Sequence, residues 1–244
     1  MRVLIIGATS TIATECERIW ANDPGTHLIL VGRNVEHLEA LKNDLAIRYP
    51  QSTYEARVCE FESPESISTL IESVGIVDVA LIAHGQLTDQ VAAQSDISTL
   101  KESLLINAVS PALFAESIIQ HFEVQGHGTL AMIGSVAGDR ARRSNYAYGS
   151  AKGFLELFVE GMQHRLVGSR VHVLLIKPGP TTSKMTLAMP NPPKGMAEPQ
   201  DVAADIVKAI AKGKSGVVYT PRKWQLIMLV IRNLPKFLFN KMNI

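Results

Sequence analysis

The sequence predicts a doubly wound α/β domain, a parallel sheet of about seven strands with helices on both faces. Three observations predict it. Short apolar runs alternate with longer amphipathic ones along nearly the whole chain. The short runs are almost entirely apolar instead of alternating, as strands covered on both faces require. The first run ends in a glycine turn that opens directly into a helical pattern. Taken in order, the strand-like runs are RVLIIG (2–7), HLILVG (27–32), YEARVC (54–59), VDVALIA (77–83), GTLAMIGS (128–135), VHVLLIKPG (171–179) and GVVYT (216–220). Helical patterns lie between them near 11–21, 35–48, 64–74, 98–123, 146–167 and 200–212. Strand-helix-strand repetition with right-handed crossovers describes a Rossmann-like sheet. The stretch 179–199 is rich in Pro, Met and small residues and long for a connection, so it reads as a lid or a disordered loop.

Composition narrows the function classes. With 244 residues, 46% of them hydrophobic, the chain can bury one large core. The 24 basic and 23 acidic residues leave a net charge of +1, so no global field points to nucleic acid. Cys16 and Cys59 suit neither a disulfide framework nor a metal site, and seven histidines form no metal-binding pair. No metal is expected, and the thiols suggest a reducing, cytoplasmic setting. The opening apolar run stops at Gly7, too soon for a signal peptide.

The turn IIGATSTIATE presents free backbone N–H groups and a helix N-terminus, which suit a phosphate. Gly7 supplies the tight turn. A full glycine fingerprint would also place glycine at Thr11 and Ala13; Ala13 is small, whereas Thr11 puts a side chain where a pyrophosphate would approach. Ser10 and Thr11 can donate hydroxyl hydrogen bonds there, or one of them can simply cap the helix. The second strand ends at Arg33 with no acid beside it. A ribose 2′-hydroxyl calls for an acid and a 2′-phosphate for an arginine, so the residues favour NADP(H). Asn34 assists Arg33 or caps the following helix. Glu60, after the third strand, meets the adenine edge or only solvent.

Tyr148 and Lys152 stand four residues apart, one helical turn, on one face of a helix. Alone, the pair also describes a helix-surface contact. Ser135 ends a buried strand thirteen residues earlier, at the sheet edge where open α/β sheets bind ligands. Asn107 sits inside a long apolar helix, where a polar amide needs a reason. In order and spacing, GATSTIA, IAHG (82–85), Asn107, Ser135, Tyr148-x-x-x-Lys152 and Pro178-Gly179 resemble the short-chain dehydrogenase/reductase family, to about residue 220. The chain departs from that pattern at the glycine turn and at IAHG, where His84 reads as structural.

The resemblance implies roles. Tyr148 would be the general acid in carbonyl reduction and the base in alcohol oxidation, its phenol pKa lowered by Lys152 together with the positive charge of an oxidised nicotinamide. Ser135 would donate to the substrate oxygen, and Asn107 would hold a water linking Lys152 to solvent. Gly7, Thr9, Ser10, Thr11 and Ile12 would carry the dinucleotide phosphates, and Ala83 and Gly85 would let the cofactor lie close. Pro178, Gly179, Thr181 and Ser183 would reach the nicotinamide end. The family also implies a homodimer or homotetramer through the helices near 98–123 and 146–167.

Past a boundary at residue 221 the tail is unlike the rest. From 222 to 244 it holds five basic residues, no acid, and an apolar run too short to span a bilayer. Two readings stand: a helix lying in a membrane interface, or one packed on its own core or across a subunit interface. Pro235 should end or kink its first half. This tail and the GATS front resemble the subgroup that reduces the 2-keto intermediate of polyprenyl-phosphoryl ribose. That implies a lipid-linked carbonyl substrate in place of a free small molecule, and peripheral contact with the inner membrane face. The alternative from another class is a dinucleotide-binding sensor or partner subunit without turnover.

Overall fold

The structure, a computed structural model, describes residues 1–189 and 191–242. Seven parallel strands form one sheet in the order β3-β2-β1-β4-β5-β6-β7. They are β1 (Arg2–Ile6), β2 (His27–Gly32), β3 (Thr53–Val58), β4 (Val79–Ile82), β5 (Gly128–Ile133), β6 (Val171–Pro178) and β7 (Gly216–Thr220). Successive strand residues point to opposite faces, and both faces are covered. Leu4, Ile6, Ile29 and Val31 face one core with Phe114, Ile118 and Leu155. Val3, Ile5, Leu28 and Leu30 face the other, with Trp20, Val202 and Ile206. Burial on two sides is why the strand-like runs are apolar throughout.

The first core is roofed by α3 (Pro64–Ser73), α6 (Ser110–Gln125) and α7 (Tyr146–Arg165), the second by α1 (Thr11–Ala21), α2 (Val35–Arg48) and α9 (Pro199–Ile210). Several expected strands end earlier than their apolar runs do. β4, β5 and β6 stop at Ile82, Ile133 and Pro178, so Ala83, Ser135 and Gly179 lie in the loops just beyond. The helix expected over 98–123 is α5 (Ile97–Leu104) joined to α6 through a π turn, Leu105–Val109, that carries Asn107. A short helix, α4 (Gln90–Ser95), precedes it and has no counterpart in the sequence reading. The 179–199 stretch is neither open lid nor coil throughout: Thr181 bridges Ala197, and α8 (Lys184–Leu187) forms behind a Ser183–Thr186 capping box.

The C-terminal segment forms α10 (Lys223–Asn233) and α11 (Lys236–Phe239), separated at Leu234-Pro235 as the proline requires. One face of this tail packs on the rest of the chain and the other is exposed. Met228 is fully buried, and the Trp224 indole packs so closely over Gly179 that a Cβ there would overlap it. Arg140 donates to the carbonyls of Ile231 and Leu234 at the C-terminal end of α10 and lies 3.8 Å over the Phe239 ring. Leu226, Leu229, Val230, Phe237 and Leu238 point outward and are exposed.

Candidate active site

A cleft of about 490 Å³ opens at the C-terminal edge of the sheet, beyond β1, β4, β5 and β6. Ser135, Tyr148 and Lys152 line it together. The convergence follows from local sequence. Ser135 caps a 3₁₀ turn, Val136–Gly138, its Oγ accepting from the Ala137 amide at 3.1 Å. α7 lies directly against that turn because glycines stand at the contact. A Cβ on Gly138 would come within 2.8 Å of the Lys152 carbonyl carbon, and one on Gly149 within 2.9 Å of the Ala137 oxygen. The Ala147 amide, buried and without a partner inside the helix in the first turn of α7, donates to the Gln90 side chain at 2.9 Å, so α4 fixes where α7 begins.

Burial pushes the Tyr148 phenol up to about 12, and the nearby Ser135 hydroxyl, which favours phenolate, offsets only part of that. This differs from the expectation of a phenol lowered by Lys152. The Lys152 amine lies 5.8 Å from the Tyr148 ring centroid and donates to the Ile133 carbonyl at 3.0 Å. Its own charge is desolvated, which lowers it from 10.5 to about 8. In the chain alone, the phenol therefore holds its proton at neutral pH.

Asn107 stands behind these groups. Its Oδ1 accepts from the Gln86 amide at 2.9 Å, and its Nδ2 donates to the carbonyls of Gln86 and Ser103 at 2.8 and 3.0 Å. The side chain thus pins the loop after Gly85, and a Cβ on Gly85 would meet Asn107 Oδ1 at 3.0 Å and Lys152 Nζ at 3.4 Å. His84 is buried, shares a hydrogen bond of 2.9 Å with Ser110, and packs edge-on against Phe61 and Phe114. Burial, then the charges of Lys152 and Arg33, push it down to about 3, so it is a neutral ring and part of the frame.

At the other end of the cleft, Thr9, Ser10, Thr11 and Ile12 line the wall where α1 begins. Gly7 lies beneath with φ +83°, and a Cβ there would sit 2.7 Å from the His84 amide nitrogen. Ser10 caps α1 by accepting from the Ala13 amide at 3.3 Å. Ala83 and Gly85 line the floor, and Pro178, Gly179, Thr181 and Ser183 line the far side. Five expected residues do not line the cleft: Gly7 and Asn107, which stand behind it, and Arg33, Asn34 and Glu60. Arg33 is exposed beyond β2, its guanidinium 5.9 Å from the Phe61 ring centroid. Asn34 is committed as a cap, accepting from the His37 amide at 2.8 Å, so its side chain holds α2. Glu60 is exposed, its amide donating to Ser66. Other lining residues escaped the sequence reading: Leu87, Arg142, Asn145, Lys184, Met185 and Met189. Arg142 falls in the polar run RARRSN, which reads only as a loop.

The sequence profile of the short chain dehydrogenase family matches residues 1–192. The chain belongs to that family. It is 31% identical over 244 residues to an uncharacterized oxidoreductase of Mycobacterium tuberculosis, covering 98% of this chain and 96% of that one. Its fold superposes on a short-chain dehydrogenase from Sphingobium yanoikuyae in complex with NADPH, with TM-score 0.81, 19% identity and 96% of each chain covered. It also superposes on an actinorhodin polyketide ketoreductase with NADPH, at TM-score 0.77, 18% identity, and 90% and 95% coverage. As a short-chain dehydrogenase, this chain is an oxidoreductase of a family that binds a nicotinamide cofactor. The cleft suits one. The α1 N-terminus lies over a glycine turn, Gly85 lies close to Lys152 where a side chain would crowd the cleft floor, and among the described residues the buried Lys152 ammonium has one acceptor, the Ile133 carbonyl, for its three protons.

Proposed function

We propose that this chain is an NADP(H)-dependent reductase or dehydrogenase that interconverts a carbonyl and an alcohol. The convergence of Ser135, Tyr148 and Lys152 in one cleft carries this reading. Bound nicotinamide would supply or accept the hydride. Ser135 holds the reacting oxygen by hydrogen bond, and Tyr148, protonated at neutral pH, delivers the proton to that oxygen in reduction. In oxidation Tyr148 takes the proton back. Lys152 sets the charge beside the phenol and offers its remaining protons to the cofactor ribose, while Asn107 fixes the floor loop and a water path. Thr9, Ser10, Thr11 and Ile12 over Gly7 hold the phosphates, with Pro178, Gly179 and Thr181 on the nicotinamide side.

Preference for NADP(H) rests on Arg33, exposed beyond β2 with no acid beside it, and is in keeping with NADPH in the two similar structures. The finer reading is a keto-sugar on a lipid carrier, reduced in the cytoplasm by a homo-oligomer whose 222–244 tail rests on the inner membrane face. Its support is the exposed apolar, acid-free face of α10 and α11.

The test is NADPH oxidation across a panel of carbonyl compounds. Tyr148→Phe should lower kcat by roughly 10²–10⁴ while NADPH affinity, read by fluorescence, stays within twofold. Full turnover in that variant removes Tyr148 from the chemistry. A wild-type chain that binds NADPH yet reduces nothing in a broad panel supports the sensor reading instead.

A further inference from the structure

The loop from Ser135 to Tyr148 places an unneutralised arginine on the substrate wall. Arg142 lines the cleft and is half-buried, and its Nε is shielded from solvent with no hydrogen-bond partner among the described residues. Its nearest source of negative charge is Asp139, but that carboxylate is already committed. Asp139 Oδ1 pairs with the buried Lys177 and Oδ2 accepts from the Tyr219 hydroxyl. Lys177 is shared with Glu156, which in turn faces Arg232, so the local acids serve a separate ionic cluster tying β6, β7, α7 and α10. Among the described residues no aspartate or glutamate lines the cleft, whereas Arg142, Lys152 and Lys184 do. Desolvation of Arg142 works against its charge, and the field of Asp139 offsets only part of it.

A partly desolvated guanidinium whose shielded Nε has no acceptor is costly, and an anion from outside is the group that completes it. Its planar fork matches carboxylate and phosphate oxygens bidentately. The same cleft is lined by Leu87, Met185, Met189 and Pro193, which are apolar, and by the exposed Lys184.

We infer that this cleft selects carbonyl substrates bearing an anionic group, a carboxylate or a phosphate, with Arg142 as the residue that binds the anion. The inference rests on the reductase reading, because the same cleft must seat the carbonyl at Ser135 and Tyr148. An anion clamped at Arg142, on the loop between those two residues, orients the rest of the molecule against the methionine-lined wall. Lys184 reinforces the field at the entrance.

The test measures binding to the chain saturated with NADP⁺, so that the cofactor's own phosphate sites are filled. The probes are benzoate, phenyl phosphate and the neutral benzamide, each titrated calorimetrically. Benzoate or phenyl phosphate should bind at least tenfold tighter than benzamide, and the preferred one names the anion. Arg142→Gln should abolish that preference with benzamide binding and NADP⁺ affinity unchanged. Arg142→Lys should retain part of it. Lys184→Gln should weaken the anion by less than Arg142→Gln does. Equal binding of the three probes, no binding of any, or a preference that survives Arg142→Gln overturns the inference. So does loss of NADP⁺ affinity in that variant with anion binding intact, which would assign Arg142 to the cofactor. Because these readouts need no turnover, the two ideas fail separately. Anion selectivity without NADPH oxidation would keep Arg142 and sink the reductase.

Discussion

Burial shifts the proton affinities of Tyr148 and Lys152 in opposite directions. The phenol is pushed up to about 12 and the ammonium down to about 8, each by desolvation. Lys152 therefore costs the fold stability at neutral pH, as residues at functional sites do. Below pH 8 both folded and unfolded chains carry the charge, and the fold bears the full desolvation cost. Between pH 8 and 10.5 the unfolded chain keeps the proton that the folded chain has lost, so the native state gains stability as pH rises. Lys152→Met should be inactive yet more stable at pH 7, by roughly 1–3 kcal/mol. Urea unfolding should show that advantage shrinking from pH 8 to 10.5. An unchanged or lower midpoint at pH 7 would mean that the Ile133 carbonyl compensates the ammonium in full. In the sequence, the four-residue spacing of this pair was legible because a helix has only one period. Its proton affinities were not, since they depend on how completely the turn at Val136–Gly138 closes over the ring.

At the scale of elements, the apolar strands and the helices between them follow from burial on two faces, which is a local signal. What the sequence could not show is where elements stop. β5 ends at Ile133 while its apolar run continues, and that early end frees Ser135 to cap a 3₁₀ turn. The π turn at Leu105–Val109 is equally silent, because Asn107 gains its partners on Gln86 only through the tertiary fold. The tail shows the same limit. Its composition admitted a lipid-facing helix or a docked one; one face of α10 is docked, through Met228 and Trp224, and the other is exposed. Trp224 covers Gly179 at the end of β6, so the tail supports the far side of the cleft. Trp224→Ala should lower stability by about 1–3 kcal/mol and raise the KM for NADPH several-fold with a smaller change in kcat. A melting temperature and KM both equal to wild type would detach α10 from the site. Arg140 makes the same connection from the opposite end of the helix, so removing residues 222–244 should depress the melting temperature further than the single substitution does.

The whole molecule leaves two apolar faces uncovered, and they call for different partners. One runs over α5, the π turn and α7, where Leu104, Val109, Phe154 and Leu157 are exposed and Phe154 stacks on Phe158. The other is the outer side of α10 and α11, apolar in the middle and flanked by the exposed Lys223, Lys236 and Lys241 with no acid to balance them. Apolar surface rimmed by one sign of charge fits an anionic lipid surface, because burial and attraction act together there. An apolar helical face without such a charge bias fits a second copy of the chain. The two assignments separate experimentally. Phe154→Glu with Leu157→Glu should convert a dimer or tetramer to a monomer in sedimentation velocity and leave liposome binding in place. Leu229→Glu with Phe237→Glu should do the reverse, abolishing sedimentation with phosphatidylglycerol vesicles while the oligomer persists. Binding to those vesicles should also fall as salt rises to about 0.5 M, since a surface charge interaction is screened within several ångströms there. If the wild-type chain never pellets with anionic vesicles, and the tail pair alone breaks the oligomer, α10 and α11 belong to the subunit interface and the lipid assignment falls.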